Sequence, residues 1–473
     1  MASNSFRYRH LANTFRDSIQ RGIWLAGDRL PSVREVMSEH NLSRSTVLHA
    51  YTLLEAEGLI TARPQRGYFV SGPTAMPDAP QHRTPVSQPR LLSLEEVIND
   101  VMMQGAAFDL LPEQGHVDEA PLELEALHRC IGRALRQQKG LQHQYYDEPD
   151  GLPALRDILA QRLRKQGCHV NQDDVTITSG CQHALLLALM SCTRPGDVVA
   201  VESPGFFGSL QVLQQLGLQV VELPCDPLNG LDLDSLEQAL RQWPIKAMVV
   251  TPTYATPTGS CMPADQRLRL IRMARQHSMV LIEDHIYGEM GLNASPPAPL
   301  FARDPDNVIL CSSFSKSLSR DLRVGWVVNR KRHSEFSRLK RITTLANSRF
   351  IQQGLVDFIQ SGDYDRHLRR YLQRLRHQRN GLAELLGNVF PGCSFTLPEG
   401  GLCLWLALPE HTDTMAIYAT ARQQGVVITP GAMFTTQPDL YRHYLRLSFA
   451  HPWNQHRRQA LQTVATLVAA KHN

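Results

Sequence analysis

Hydrophobic positions in the first part of the chain follow the spacing of helices and then that of strands. Leu11, Phe15 and Ile19 recur at helical spacing, and this run stops at Gly22. Farther along, two short runs rich in strand-forming residues flank a turn that contains proline and glycine, which indicates a hairpin. The pattern predicts helices at 8–21, 32–40 and 43–57, followed by strands at 59–62 and 68–70.

Beyond about residue 91, short apolar runs of strand length alternate with helical stretches. Strands are predicted at 175–178, 198–201, 247–250, 280–282 and 308–311. Strands that are buried on both faces read as continuous apolar runs. We therefore expect a parallel α/β fold with helices on both faces of the sheet.

A proline-rich segment separates the two patterned regions. Residues 72–90 contain five prolines and almost no large apolar side chains, a composition typical of an extended spacer. We expect an N-terminal domain at 1–71, a linker at 72–94 and a C-terminal region at 95–473.

Positive charge is concentrated near the N-terminus. The chain of 473 residues has a formal net charge of +4, and residues 1–72 hold nine arginines, no lysine and six acidic residues. A local excess of arginine is what contact with phosphate groups requires.

The remaining composition excludes several classes of protein. No apolar run approaches the ~18 residues of a membrane span, and the N-terminus lacks the apolar core of a signal peptide. The nine cysteines are scattered, without a Cys-x-x-Cys pair or a Cys/His metal spacing, so we expect reduced thiols and no metal site. These features predict a cytoplasmic protein without membrane contact.

The second and third predicted helices have the arrangement of a helix-turn-helix. The third helix would lie in the major groove with Arg44, Ser45 and Thr46 in its first turn, where arginine binds guanine and hydroxyls bind phosphates or bases. The other candidate DNA contacts are Ser32, Arg34, Ser43, Gln65 and Arg66. The alternative is a small structural domain with solvated arginines.

Three segments of this N-terminal domain resemble the winged helix of the GntR family. They are GIWLAGDRLPSVRE, LSRSTVLHAYTLLEAEGLI and RGYFV, and the resemblance covers nearly all of residues 8–70. It implies that a double-stranded DNA operator is the partner of this domain.

The C-terminal region contains, in chain order, the groups that a pyridoxal phosphate site needs. The segment 178–182 follows a strand and opens a helix, whose N-terminus suits a phosphate. Asp284 ends a strand and could keep a pyridine nitrogen protonated, and Lys316 supplies an amine for a Schiff base. The further candidates are Ser179, Gly180, Cys181, Ser313, Ser315 and Arg323 around the phosphate, Phe206 as a stacking platform, Thr256 and Tyr287 near the ring hydroxyl, and Arg446 as a clamp for an effector carboxylate.

Each of these residues alone has an ordinary structural explanation. Asp284 could be a turn residue, Lys316 a solvated loop residue and Arg446 a structural ion pair. The combination of Asp284-x-x-Tyr287 with Ser-x-x-Lys316 about 30 residues later is more specific.

Residues from about 95 to 465 resemble a fold-type I aminotransferase, and the fusion to a GntR-like domain resembles the MocR subfamily of regulators. This resemblance implies pyridoxal 5'-phosphate as cofactor, a large part at about 95–345 and a smaller C-terminal α+β subdomain at about 346–473. It also implies Lys316 as the Schiff-base lysine, Asp284 as the pyridine partner and Arg446 as the carboxylate anchor. Tyr146 matches a tyrosine that reaches the phosphate of the neighbouring subunit, so a homodimer is expected to form the site. The resemblance further implies that the dimer exchanges heads between subunits.

One position departs from the aminotransferase pattern. Thr256 stands before Pro-Thr-Gly, where these enzymes usually have an asparagine, and the loop from Lys316 to Arg323 is short. Both features are shared with the regulators and weaken the case for fast turnover.

Three functions are compatible with these residues. The first is a regulator that senses an amine or amino-acid effector, or the cofactor itself, through the aminotransferase-like domain. The second is an aminotransferase with an appended DNA-binding head, and the third is a scaffold whose pocket binds no cofactor. The retained Asp284, Lys316 and Arg446 argue against the third, and we expect the first, with weak transamination as a possible side activity.

Overall fold

The N-terminal part folds as three helices and a two-stranded hairpin. The computed structural model describes residues 2–63, 66–71, 79, 88, 90–91, 122–139, 144–437 and 439–470. The helices are α1 (Ala2–Gln20), α2 (Val33–His40) and α3 (Arg44–Ala56), and the antiparallel strands are β1 (Ile60–Arg63) and β2 (Gly67–Val70). The predicted elements are confirmed, although α1 begins six residues earlier than its apolar pattern indicates. We call this part the head.

Hydrogen bonds at the helix ends explain why α2 and α3 start where they do. Ser32 N donates to Glu35 Oε2 at 2.6 Å, and Glu35 N donates back to Ser32 Oγ at 3.3 Å. Ser43 Oγ accepts from Thr46 N at 3.3 Å. Asn41 ends α2 with φ of 50°, a left-handed conformation that asparagine tolerates. These bonds define the turn between the two helices.

A nine-stranded sheet forms the centre of the C-terminal region, with the order β3-β6-β5-β8-β9-β10-β11-β4 and β7 paired to β6. The five strands β5, β6, β8, β9 and β10 are mutually parallel. The strands are β3 (Arg90–Leu91), β4 (Val175–Thr178), β5 (Val198–Ser203), β6 (Gln219–Asp226), β7 (Gly230–Leu231), β8 (Ile245–Val250), β9 (Val280–Asp284), β10 (Val308–Ser313) and β11 (Gly325–Val328).

The expected parallel sheet is confirmed for its central strands, whereas β3, β7 and β11 run antiparallel to their neighbours. An apolar run indicates that a strand is buried, but it does not indicate the direction in which the strand runs. The connection 314–324 between β10 and β11 is too short for a helical crossover, so the two strands pair antiparallel.

Helices cover both faces of this sheet, as the alternating pattern predicts. Two apolar clusters, one on each face, pack between the sheet and its helices. One face carries Leu122–Gln137, Pro153–Lys165, Leu233–Gln242, Ala264–Gln276 and Arg349–Gln360, and the other carries Cys181–Cys192, Phe207–Gln215 and His333–Thr343. Short 3-10 helices lie at Gln172–Asp174, Leu300–Ala302, Arg330–Arg332 and Gly431–Phe434.

Residues 363–470 form a smaller α+β unit, the small subdomain. Its antiparallel sheet has the order β12-β13-β15-β14. The strands are β12 (Ser394–Phe395), β13 (Cys403–Ala407), β14 (Thr429–Pro430) and β15 (Tyr444–Ser448), and the helices are Asp363–Val389, Thr414–Gln423 and Gln455–Ala470. We call Asp363–Val389 the long helix.

The head rests on the small subdomain. The two share one continuous apolar cluster, which includes Phe15 and Trp24 of the head and Leu382 and Leu386 of the long helix. A cavity of about 850 Å³ remains beside this contact, and Trp24, Glu384 and Trp453 are among the residues that line it.

Part of the expected domain division lies outside the described residues. Within the expected linker 72–94, the structure describes residues 79, 88, 90 and 91 alone, so the domain boundaries stay a prediction. Across the described part of the chain, no helix is both long and apolar enough to cross a membrane.

Candidate functional site

Two adjacent parallel strands of the main sheet, β9 and β10, bring the central candidate residues to one edge of the sheet. β9 ends at Asp284 and β10 ends at Ser313, and in the pairing of these strands Cys311 lies opposite Asp284. The turn that follows β10 carries Lys316. Open sheets of this kind bind ligands at the carboxyl ends of parallel strands, and these residues lie at such an edge.

Asp284 is a buried carboxylate with two hydrogen-bond donors. Cys181 Sγ donates to Asp284 Oδ1 at 3.4 Å, and Ile286 N donates to the same oxygen at 3.1 Å. Burial raises the pKa of Asp284 to about 6, while the two donors and the charge of Lys316 oppose this rise. Asp284 is therefore mainly ionised at neutral pH, as a partner for a protonated pyridine nitrogen must be.

Lys316 lies among other cations. Desolvation of its ammonium, followed by repulsion from Arg320 and Arg446, lowers the pKa of Lys316 to about 7. Asp284 and Cys403 act weakly in the opposite direction. A large fraction of this amine is therefore neutral near pH 7, which is the form that attacks a carbonyl.

The turn at Ser179 and Gly180 precedes the helix Cys181–Cys192 and contacts two polar side chains. Arg323 Nη2 donates to Ser179 O at 2.9 Å, and Asn347 Nδ2 donates to Ser179 Oγ at 3.1 Å. Arg323 itself has φ of 48°. The guanidinium and the helix N-terminus together suit a phosphate group.

The backbone of the same turn lies close to Arg323. Gly180 has φ of 93° and ψ of 174°, and a Cβ at this position would lie 2.5 Å from Arg323 Nη2. The backbone and the guanidinium thus approach as closely as a glycine permits. On the β10 side, Ser315 N donates to Ser313 Oγ at 3.3 Å. These residues fit the phosphate of the expected cofactor.

Thr256 and Tyr287 lie together on another side of the site. Thr256 Oγ1 and Tyr287 Oη are 3.0 Å apart and share a hydrogen bond, and Cys403 Sγ is 3.8 Å from Thr256 Oγ1. Burial raises the pKa of the Tyr287 hydroxyl, which therefore stays protonated at neutral pH. The shorter threonine thus keeps a polar contact where aminotransferases usually have an asparagine.

Phe206 and Arg446 lie outside β9, β10 and the helix Cys181–Cys192. Phe206 is partly exposed at the start of Phe207–Gln215, with its ring 5.1 Å from that of Phe207. Arg446 lies on β15, buried, with Nη2 3.3 Å from Thr429 Oγ1 and its guanidinium 5.4 Å from the centre of the Phe434 ring. Their roles in ring stacking and carboxylate binding stay predictions.

Tyr146 lies on the surface of the chain. Its side chain is 79% exposed and that of Tyr145 is 70% exposed. Large aromatic side chains with this exposure are common where a partner covers them. The predicted reach of Tyr146 to the phosphate of a neighbouring subunit is compatible with this position and stays a prediction.

In the head, the candidate DNA contacts divide into exposed and capping residues. Arg34, Arg44, Ser45 and Arg66 are exposed. Thr46 is buried, and its hydroxyl lies 2.8 Å from Ser43 Oγ. Ser32, Ser43 and Thr46 are thus engaged at helix starts, and Gln65 lies outside the described residues.

Sequence reasoning missed two contributors to the site. Arg320 lies in the loop between Lys316 and Arg323, where burial lowers its pKa to about 10 and its charge lowers the pKa of Lys316. Asn347 binds Ser179 from a segment 168 residues away. A second arginine in so short a loop was the available signal for Arg320, whereas no local signal marks Asn347.

Comparisons with known proteins match two parts of the chain to two families. The model of the family "Aminotransferase class I and II" matches residues 122–464, and that of "Bacterial regulatory proteins, gntR family" matches residues 7–70. The chain is 35% identical to the uncharacterised HTH-type transcriptional regulator YjiR and 34% identical to YdcR, both of Escherichia coli. These alignments cover 98% of this chain in each case, and 98% of YjiR and 99% of YdcR.

A solved aminotransferase shares the fold of the C-terminal region. LysN of Thermus thermophilus, an alpha-aminoadipate aminotransferase complexed with N-(5'-phosphopyridoxyl)-L-leucine, superimposes with a TM-score of 0.67 at 26% identity. The match covers 74% of this chain and 90% of LysN.

Proposed function

The chain belongs to the GntR-type regulators whose head is fused to an aminotransferase class I and II domain, the arrangement of the MocR subfamily, and from this premise we propose that it senses a small amine or amino acid through pyridoxal phosphate held by Lys316. The pair of Asp284 and Lys316 at one edge of the sheet, beside the turn at Gly180, carries this proposal. The head would bind an operator in double-stranded DNA.

The side chains divide the work at the site. When bound, pyridoxal phosphate supplies an electron sink and a carbonyl that reacts with amines. Lys316 would provide a neutral amine near pH 7, Asp284 would keep a proton on the pyridine nitrogen, and Arg323 with the turn at Gly180 would bind the phosphate. Arg446 would bind the carboxylate of the effector with its guanidinium.

For the effector to regulate DNA binding, it must favour one arrangement of the dimer over another. Tyr146 would complete the phosphate site of the neighbouring subunit, so that cofactor binding and dimer formation support each other. A homodimer that presents two heads to two half-sites is the expected DNA-binding form.

The second candidate function is an aminotransferase with an appended head. The retention of Asp284, Lys316 and Arg446 favours it, because these residues would allow the first half of a transamination on a bound cofactor. Formation of a 2-oxo acid over many turnovers, at a rate suited to metabolism, would favour this reading over sensing.

The experiment that tests the proposal uses the visible absorbance of the purified protein. Pyridoxal phosphate should produce a new band, and one compound in a panel of amines and amino acids should shift it and change operator affinity. Lys316→Ala should remove the band and the effect of that compound while the protein still binds the operator. Lys246→Ala, at an exposed position of β8, is the matched control and should behave as the parent protein. A chain that stays colourless with added cofactor would refute the assignment of Lys316.

A further inference from the structure

The long helix makes polar contacts with the cofactor turn near one end and with the head farther along. It contains 27 residues, which corresponds to a length of about 40 Å at the usual rise per residue. The contacts with the cofactor turn involve Tyr364 and His367 in its first turns. The contacts with the head involve Arg376 at its midpoint and Asn380 one turn farther along.

Toward the cofactor turn, the helix binds the residue that follows Lys316. Tyr364 Oη lies 3.0 Å from Ser317 Oγ and 2.8 Å from Glu289 Oε2. His367 Nε2 lies 2.9 Å from Ser317 O. Tyr364, His367 and Ser317 are all buried. Any displacement of the turn that carries Lys316 therefore acts directly on the start of the long helix.

Toward the head, the helix binds a buried carboxylate. Asp28 is 4% exposed, accepts a hydrogen bond from Asn380 Nδ2 at 3.0 Å, and lies 3.7 Å from Arg376 Nη1. Within the head, Asp28 also accepts from Leu25 N at 3.0 Å. Among the contacts of Asp28, those from the long helix would be lost if the head moved away.

The orientation of the Asn380 amide is fixed by its neighbour. Arg379 is fully buried, and its Nε and Nη2 donate to Asn380 Oδ1 at 2.9 and 2.7 Å. With the oxygen engaged, the amide nitrogen of Asn380 faces Asp28 as a donor. The pairing is thus directional, and a small rotation of the helix would break it.

A second connection joins the same residues to the Thr256 side of the site. Arg379 Nη1 donates to Pro398 O at 2.8 Å. A methyl group at Gly259 would collide with Pro398, so these residues are in close contact. Gly259 ends the segment that begins with Thr256, whose hydroxyl pairs with Tyr287. The helix therefore receives contacts from two sides of the cofactor site.

We propose that the long helix couples the cofactor site to the head, with Tyr364 and Asn380 as positioning residues and Asp28 as the contact that reports helix position to the DNA-binding domain. The proposal rests on the proposed function for the identity of the input, the occupancy of Lys316. When the cofactor or the effector shifts the turn at Ser317, the long helix moves. This movement changes the contacts of Asp28 with Asn380 and Arg376. The head then binds the small subdomain more or less tightly, and its orientation toward DNA changes.

A double-mutant cycle distinguishes coupling from a purely structural role. Tyr364→Phe removes one hydroxyl and keeps the packed ring, and Asp28→Asn removes the charge that faces Arg376. The two positions are distant in the fold, so independent effects on operator affinity should combine additively in free energy. We expect each single variant to reduce the ratio of operator affinity with and without effector by at least threefold, and the double variant to lose no more than the stronger single one.

The matched control for Asp28→Asn is Asp17→Asn. Asp17 is an exposed acidic residue of α1, and its replacement removes the same charge from the head and therefore the same repulsion of DNA. Asp17→Asn and its combination with Tyr364→Phe should show additive effects.

Amide hydrogen exchange of the protein without cofactor tests the coupling when no effector response is seen. Tyr364→Phe should speed exchange in residues 23–31 of the head, and Asp28→Asn should speed it in residues 313–323, each by at least threefold. Failure to bind pyridoxal phosphate would overturn the proposed function and leave this exchange result readable. Exchange that changes only around the substituted residue, or effects that combine additively in the cycle, would overturn the coupling.

Discussion

Replacement of Gly180 by alanine tests whether the turn before Cys181–Cys192 holds the cofactor phosphate. Gly180 has a backbone conformation that essentially only glycine adopts, with φ of 93° and ψ of 174°. A Cβ there would lie 2.5 Å from Arg323 Nη2. Alanine should therefore displace the guanidinium from the turn and occupy part of the space that the phosphate needs.

The size of the effect follows from the contacts that are lost. A hydrogen bond to a charged group contributes about 1.5–3 kcal/mol. Since about 1.4 kcal/mol corresponds to a factor of ten in affinity, pyridoxal phosphate should bind Gly180→Ala about tenfold to a hundredfold more weakly. The unfavourable backbone conformation costs a further ~1–3 kcal/mol. That cost lowers the free energy of unfolding, and it does not change the affinity of the folded site.

Gly196→Ala is a matched control for the backbone effect. Gly196 has φ of 89°, and a Cβ at this position would meet no atom within 4 Å. Cofactor affinity is measured by titration of the visible absorbance band, after circular dichroism has shown that both variants are folded. Equal affinities of Gly180→Ala and Gly196→Ala for pyridoxal phosphate would refute the assignment of this turn to the phosphate.

Three further predictions concern the amine, the head and the exposed tyrosine. Because the pKa of Lys316 is lowered to about 7, the neutral fraction of its amine rises from roughly one tenth at pH 6 to nine tenths at pH 8, and cofactor capture followed by stopped flow should accelerate about tenfold over this range. A capture rate that is unchanged over that range would contradict the lowered pKa. Arg44→Ala should weaken operator binding. If Arg44 binds a phosphate, the slope of the salt dependence should fall by about one, and if it binds guanine, the preference for that base should relax. Arg241→Ala, on the C-terminal region, is the control and should change neither property. Tyr146→Phe should weaken cofactor binding several-fold in the dimer. An equal cofactor affinity of parent and variant would show that Tyr146 does not reach the phosphate.

Strand and helix positions were predictable because each reflects a local pattern. β4 has the predicted bounds, and β8, β9 and β10 are each two residues longer than their apolar cores. The added residues at the ends of β9 and β10 include Asp284 and Ser313, polar side chains that belong to the site. Apolarity therefore located these strands and stopped short of the residues that carry the chemistry.

Features that depend on distant residues could not be predicted in this way. Within the arginine-rich stretch from 366 to 379, nothing local distinguishes Arg379, which is fully buried, from the exposed Arg366 and Arg374. Its partner Pro398 and the partner of Asn380, Asp28, are respectively 19 and 352 residues away. Likewise, the burial of Thr46 follows from its packing in the head, whereas its position in the first turn of a helix suggested contact with DNA.

In the structure the head contacts the small subdomain of its own chain, whereas a dimer with exchanged heads would form this contact between subunits. In either arrangement the two parts are held near each other, and this determines how strong their contact needs to be. Joining two parts by a tether gives each an effective concentration around the other that is on the order of millimolar. A contact with a dissociation constant in that range would be half formed in the intact protein, and small changes at Asp28 would then shift it in either direction. The same contact would go undetected if the head and the C-terminal region were prepared separately and mixed at micromolar concentrations. If the head binds the small subdomain reversibly in the intact protein, the isolated parts should therefore bind each other only weakly.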